Sequence, residues 1–255
     1  MHMKVKHGEI LSITRKQLRN KLSYRLPAAD ASVTIATMHD SQIHHVMAVL
    51  EYECQQWETP SVTVISEQHR SAFHVLVSCI ISLRTKDAVT AAASARLFDR
   101  AGSPQEMVRL KTSEIADLIY PAGFYRTKAA QIYEICKKLQ TEYNGMVPDS
   151  IEELLRFKGV GRKTANLVMT LGHGQQGICV DIHVHRITNR WGYVAAKTPD
   201  RTEQLLREKL PAEYWKKIND LLVCYGQNLC YPVSPACSRC RLADCCERVG
   251  VKRSR

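Results

Sequence analysis

The sequence predicts an all-α protein, on three observations. Apolar residues recur at three-and-four spacing along most of the chain, helix caps punctuate that pattern, and strand-like alternation is confined to one short run. Ile43, Val46, Met47, Leu50, Cys54 and Trp57 lie on one face of a first helix. Further helices are expected over Ser71 to Leu83 and Asp87 to Arg100. Ser103-Pro104 and Thr198-Pro199 have the form of an N-cap followed by proline at the first helical position. A helix starting near Arg126 is expected to end at Asn144-Gly145, and Ser150 with Glu153 forms a capping-box signature for the next. The one strand candidate is "GICVD", ending at Asp181.

Composition narrows the function classes. The 255 residues, 45% hydrophobic and 24% charged, suit a globular chain with a buried core, and no window approaches the roughly 18 to 20 apolar residues of a spanning helix. A formal net charge of +11 calls for an anionic partner. Nucleic acid heads the list, because cationic side chains gain counterion-release free energy on phosphates. A membrane surface would suit the charge equally, but no amphipathic helix with an unattached apolar face is found.

Residues 1–37 carry Lys4, Lys6, Arg15, Lys16, Arg19, Lys21 and Arg25 against Glu9 and Asp30, without sustained apolar periodicity. They read as a basic, disordered arm. An organelle-targeting peptide is one alternative, and a true start at Met38 another. No secretory signal is visible, which points to an intracellular, reducing compartment in the cytoplasm or nucleoid.

Five of the ten cysteines, Cys54, Cys79, Cys136, Cys179 and Cys224, are scattered in apolar surroundings and read as core residues. The other five crowd into "CYPVSPACSRCRLADCC". In a reducing compartment such thiols read as a metal site. Cys230, Cys237, Cys240 and Cys246 offer four thiolates, and softness alone leaves zinc and an iron-sulfur cube both open.

The run "LLRFKGVGRKTANLVMTLGHG", Leu154 to Gly174, has helical spacing on both sides of a tight Lys158–Lys163 turn. Glycine permits such a turn and a close backbone approach to a ligand, and exposed N–H groups at the following helix start can hold an anion. It is not a nucleotide-binding P-loop, since Arg162 separates Gly161 from Lys163 and no strand precedes it.

"FKGVGRKTANLV", followed by "VDIHVHRITNRWG" and then the cysteine tail, resembles the endonuclease III family of helix-hairpin-helix DNA glycosylases over roughly Ile43 to Glu247. "ISLRTKD" and "GFYRTKAAQI" resemble family segments too. The resemblance implies a six-helix domain with the hairpin, about residues 66–173. It also implies an iron-sulfur domain, about 43–65 plus 174–247, a DNA-binding groove between the two, and a basic tail at 248–255. It implies Lys163 as the nucleophile that forms a Schiff base at the sugar C1′, for which the amine must be neutral. Asp181 is implied as the carboxylate that stabilises an oxocarbenium-like transition state, and a helix N-cap at that position is compatible with this role. Lys158, Gly159, Val160, Gly161 and Arg162 are the implied phosphate grip, with Arg84, Arg126, His183 and Arg186 as further DNA contacts. The cysteine spacing matches the family's [4Fe-4S] pattern, which makes the cube the choice over zinc and leaves Cys245 as the spare.

The chain departs from the family pattern at several points. Arg84 replaces a frequent glutamine near the extruded base, Ile182 stands where threonine is common, and Leu155 lies where a glutamate often precedes the hairpin. "YPVSPA" has no basic residue, so Arg239, Arg241, Lys252, Arg253 and Arg255 are the candidates to supply positive charge. The expected activity is a bifunctional glycosylase and AP lyase on oxidised or damaged pyrimidines in duplex DNA, acting as a monomer. The alternatives are a mismatch-specific glycosylase for uracil, thymine or adenine, which Lys163 disfavours, and a non-catalytic DNA-binding module.

Overall fold

The computed structural model describes residues 38–255, so the expectations for the arm of residues 1–37, including a start at Met38, lie outside the described residues. Among the described residues the regular structure is wholly helical: α1 Ile43–Cys54, α2 Ser61–His69, α3 Ala72–Ser82, α4 Asp87–Arg100, α5 Pro104–Met107, α6 Thr112–Ile119, α7 Tyr125–Glu142, α8 Ile151–Leu154, α9 Arg162–Leu167, α10 Ile182–Arg190, α11 Pro199–Lys209 and α12 Ile218–Asn228. A π-helical turn, Val168–Gly172, extends α9.

Local chemistry sets many of these ends. Ser103, Ser150 and Thr198 each accept a backbone N–H of the first turn, satisfying donors that the helix itself cannot. The reciprocal bond from the Ser150 backbone N–H to the Glu153 carboxylate is not made, and the Ser150 hydroxyl itself donates to Glu152. The α7 helix closes as Asn144 and Gly145 turn left-handed (φ 52° and 77°), with Gly145 N–H returning to Leu139 O at 2.8 Å. The expected helix from Ser150 to Phe157 is cut to one turn in α8, followed by turns, which lets the chain double back into α9.

Two hydrophobic cores organise the described chain. The first is built from α2 to α9 and includes Val62, Ile65, Leu76, Ile80, Leu97, Ile132 and Val168. The second joins α1 to α10, α11, α12 and the cysteine segment, through Met47, Leu50, Val184, Ile187, Leu222 and Tyr225. "GICVD" is no strand, and the reason for its alternation is visible in the cores. It is an extended crossing in which Ile178 and Val180 enter the second core while Cys179, between them, enters the first. Side chains alternate as in a strand, but no neighbouring strand pairs with the backbone.

Polar ties join the elements of the two cores. Glu203 of α11 accepts from Arg162 at 2.9 and 3.1 Å and from Arg207 at 3.1 Å. Arg207 also donates to Asn166 Oδ1 at 3.2 Å, and Thr63 of α2 donates to Asp220 of α12 at 2.9 Å. Replacing Glu203 by alanine strands two guanidinium groups that are both partly exposed. The expected cost is therefore about 1–2 kcal/mol, below that of a fully buried pair, read as a lowered urea midpoint.

Candidate active site

The turn before α9 depends on glycine. Gly159 has φ 81°, and a Cβ there would sit 2.2 Å from the Gln131 amide, which donates to Lys158 O at 2.9 Å. Gly161 caps α9 with no side-chain hydrogen bond and faces open space, so the first-turn N–H groups of α9 point to a surface that a ligand can reach. Val160 is buried and Lys158 exposed. Arg162 is not free at this turn, since its guanidinium is committed to Glu203.

Lys163 occupies the first turn of α9, with 42% of its side chain exposed. Its Nζ lies 3.8 Å from Oδ2 of Asp181. Asp181 is itself the N-cap of α10: Oδ1 accepts the N–H groups of His183 and Val184 at 2.8 and 2.9 Å. One carboxylate oxygen thus fixes the helix and the other faces the amine. Asp181 is 6% exposed. The Cys179 thiol, packed behind, donates to Lys163 O at 3.7 Å. Burial holds Cys179 well above the ordinary thiol range and pushes Cys79 up to about 12, so both stay neutral beside the amine.

His183 and Arg186, both half-buried, are hydrogen-bonded to each other and to the chain near Cys230. Arg186 donates to His183 Nδ1 at 3.1 Å and to Cys230 O at 2.9 Å. Gly226 makes room for them, since a Cβ there would meet His183 Nδ1 at 2.3 Å. Burial lowers His183, which keeps it neutral and able to accept. Asp220 was not foreseen from the sequence. It lies close enough to Asp181 to feel its charge, and burial, assisted by Glu67 and Asp181, pushes its carboxyl up to about 6 although the Thr63 hydrogen bond opposes the shift.

A second group of residues forms an exposed rim. Arg84 has a left-handed backbone (φ 53°) and its guanidinium lies 5.7 Å from the ring of Phe124, itself left-handed (φ 58°) and 63% exposed. Arg126 stacks over Tyr125 at 5.0 Å. Phe124 was not singled out in the sequence, and it is among the exposed large hydrophobic residues of the described chain. Among the residues where the chain departs from the family pattern, Ile182 is 68% and Leu155 39% exposed.

Cys230, Cys237, Cys240 and Cys246 share one neighbourhood. Cys246 feels the charge of the other three, and it is pushed up to about 11 chiefly by burial. Arg190 donates to Cys230 Sγ at 3.4 Å, and the Tyr225 hydroxyl lies 3.1 Å from Cys240 Sγ. Cys245 is turned toward Gln42, whose amide reaches its sulfur at 3.8 Å. Of the basic residues considered for this region, Arg241 is paired with Glu53 at 2.8 Å and Arg255 stacks over Tyr231 at 5.0 Å. Among the described residues no three His, Cys, Asp or Glu side chains close on a single-ion position, and no helix is long and apolar enough to cross a membrane.

An all-helical fold with a glycine turn presenting Lys163 to a buried carboxylate defines a helix-hairpin-helix protein of the DNA-repair type, and comparison with known proteins agrees. Residues 77–212 match the HhH-GPD superfamily base excision DNA repair protein family. The chain is 46% identical over 175 residues to endonuclease III of Thermotoga maritima, covering 69% of this chain and 82% of that one. It is 40% identical over 177 residues to endonuclease III-like protein 1 of Gallus gallus, covering 68% of this chain and 63% of the relative. A solved structure described as a trapped endonuclease III-DNA covalent intermediate, in an estranged-adenine complex, superimposes with a TM-score of 0.72 at 30% identity, covering 82% of this chain and 95% of that one. The chain belongs to the endonuclease III family of HhH-GPD base excision repair proteins, and it is a DNA glycosylase.

Asp220 makes stability depend on pH. The folded protein binds this proton more tightly than the unfolded chain, whose carboxyl has the ordinary value of 3.8, so stability falls as pH rises from 3.8 to about 6. Asp220→Asn keeps an acceptor for Thr63 and removes the buried charge. It is expected to stabilise the protein by about 1–3 kcal/mol at about pH 7.5, with the difference shrinking toward about pH 4, in urea titrations at both values.

Proposed function

We propose that the chain is a bifunctional enzyme, coupling base removal to AP lyase cleavage on duplex DNA that carries oxidised or ring-damaged pyrimidines. The observation that carries this reading is the 3.8 Å approach of Lys163 Nζ to the free oxygen of Asp181, at a turn with open backbone N–H groups. The damaged nucleotide leaves the stack to reach the amine. Neutral Lys163 attacks C1′, and the base departs with the electron pair of the N-glycosidic bond and takes up a proton. The anionic Asp181 stabilises positive charge developing on the sugar. The nitrogen lone pair then breaks the C1′–O4′ bond, O4′ takes up a proton from water, and the opened sugar is held as a protonated Schiff base. Loss of a C2′ proton then expels the 3′ phosphate by β-elimination, and water releases the lysine. A monofunctional mismatch glycosylase has no need of an amine at this position.

Grip on the duplex is assigned to the backbone of Gly159, Val160 and Gly161 with Lys158, to Arg126, and to Arg84 with Phe124 at the rim. We assign Arg162, His183 and Arg186 to holding the site together, with one chain as the acting unit. We also propose that Cys230, Cys237, Cys240 and Cys246 hold a [4Fe-4S] cluster. Their donor chemistry fits, because four neighbouring thiolates repel one another and need cationic centres. Such a cluster, when bound, cross-links residues 230–246.

Borohydride trapping on a duplex with an abasic site tests the mechanism. Wild type should form a covalent adduct and Lys163→Ala none, while the folded, DNA-binding variant retains its affinity. Absence of an adduct from DNA-bound wild type would leave a monofunctional glycosylase. For the cluster, iron and inorganic sulfide should be present in equal amounts per chain and be lost in Cys240→Ser but kept in Cys245→Ser.

A further inference from the structure

Lys128 is the one buried lysine among the described residues, 4% exposed in the first turn of α7. Among the described residues it has no ion-pair partner. Its Nζ donates to Ile81 O at 2.7 Å, Leu83 O at 2.5 Å and Thr85 Oγ1 at 2.9 Å. The two carbonyls belong to the C-terminal end of α3, where a cation is favoured by the helix dipole. Leu83 and Thr85 are the immediate neighbours of Arg84, so one ammonium holds both sides of the residue with the left-handed backbone.

The same hub extends to Phe124. Thr85 Oγ1 accepts the N–H of Gly123 at 3.1 Å, and a Cβ on Gly123 would sit 2.6 Å from Arg84 O. Two loop tips are therefore held together through the Thr85 hydroxyl and a close backbone approach at Gly123, and their exposed ends, Arg84 and Phe124, meet as a cation-π pair. Burial lowers the ammonium to about 8, so the charge is held against a desolvation cost that a methionine of similar volume would avoid. Packing alone does not explain a lysine here. Fixing the geometry of the Arg84 loop does.

We propose that Lys128 is a positioning residue, which holds Arg84 and Phe124 as a rigid pair for entry into the duplex where the damaged nucleotide leaves the stack. This rests on the reading of those two residues as the DNA-facing rim. Lys128 acts through the rim, not on the reacting atoms. Its loss should therefore slow duplex opening and leave the amine chemistry intact.

The test measures single-turnover trapping for wild type, Lys128→Met, Arg84→Ala and the double variant, on a duplex and on single-stranded DNA with the same abasic site. Fluorescence of a 2-aminopurine beside the site reports unstacking, and thermal unfolding reports integrity. Lys128→Met should lose about 10- to 100-fold on the duplex, with slower unstacking, and change little on the single strand. The double variant should be no worse than the more severe single one. Lys128→Arg should restore part of the duplex rate. Thr85→Val, which removes one acceptor of the hub, should show the same pattern at smaller size, and it decides the matter if Lys128→Met does not fold. Equal losses on both substrates, or independent losses in the double variant, would overturn the proposal. If Arg84→Ala is without effect on the duplex, the rim reading fails and the proposal with it, while wild-type trapping still reports separately on Lys163.

Discussion

The carboxylate of Asp181 is the interaction on which the rest depends. Its Oδ1 is bound by two backbone N–H groups at the start of α10, so its position is set by the helix. Its Oδ2 is then left on a rigid mount facing Lys163. A carboxylate held only by the lysine would follow that flexible side chain. Anchored by the backbone, it gives a charge whose place is set by the helix, and in the proposed mechanism that preorganisation would let it act without reorganising.

Cationic side chains form a large part of the internal framework. Lys128 grips the carbonyls of Ile81 and Leu83, Arg186 grips Cys230 O, and Arg190 reaches Tyr231 O at 2.6 Å and Pro232 O at 2.7 Å. Each ties an irregular segment to a helix by charge-assisted hydrogen bonds to its carbonyls. Not all of the +11 charge is therefore available to a polyanion.

The sequence disclosed the parts governed by local chemistry. The caps at Ser103, Ser150 and Thr198, the close at Asn144-Gly145, the full extent of α4 and the glycine turn before Lys163 follow from neighbours in the chain. What stayed hidden is long-range. Arg162 in a glycine turn reads as a phosphate contact, but its partner Glu203 lies far along the chain. No local pattern marks Lys128 or Asp220 as buried, since their partners come from the distant helices α3 and α2. Helix α2 begins after Pro60 without a side-chain cap, so no local signal announced it.

The extended crossing through Ile178, Cys179 and Val180 also acts as a ruler. Its side chains alternate between two cores, so its register is fixed at both ends, and it delivers the chain directly to Asp181. One residue inserted or removed would turn Cys179 toward the wrong core and carry the carboxylate away from the amine. Such changes in length are tolerated where chain runs over the surface, whereas evolution of this stretch is confined to substitution.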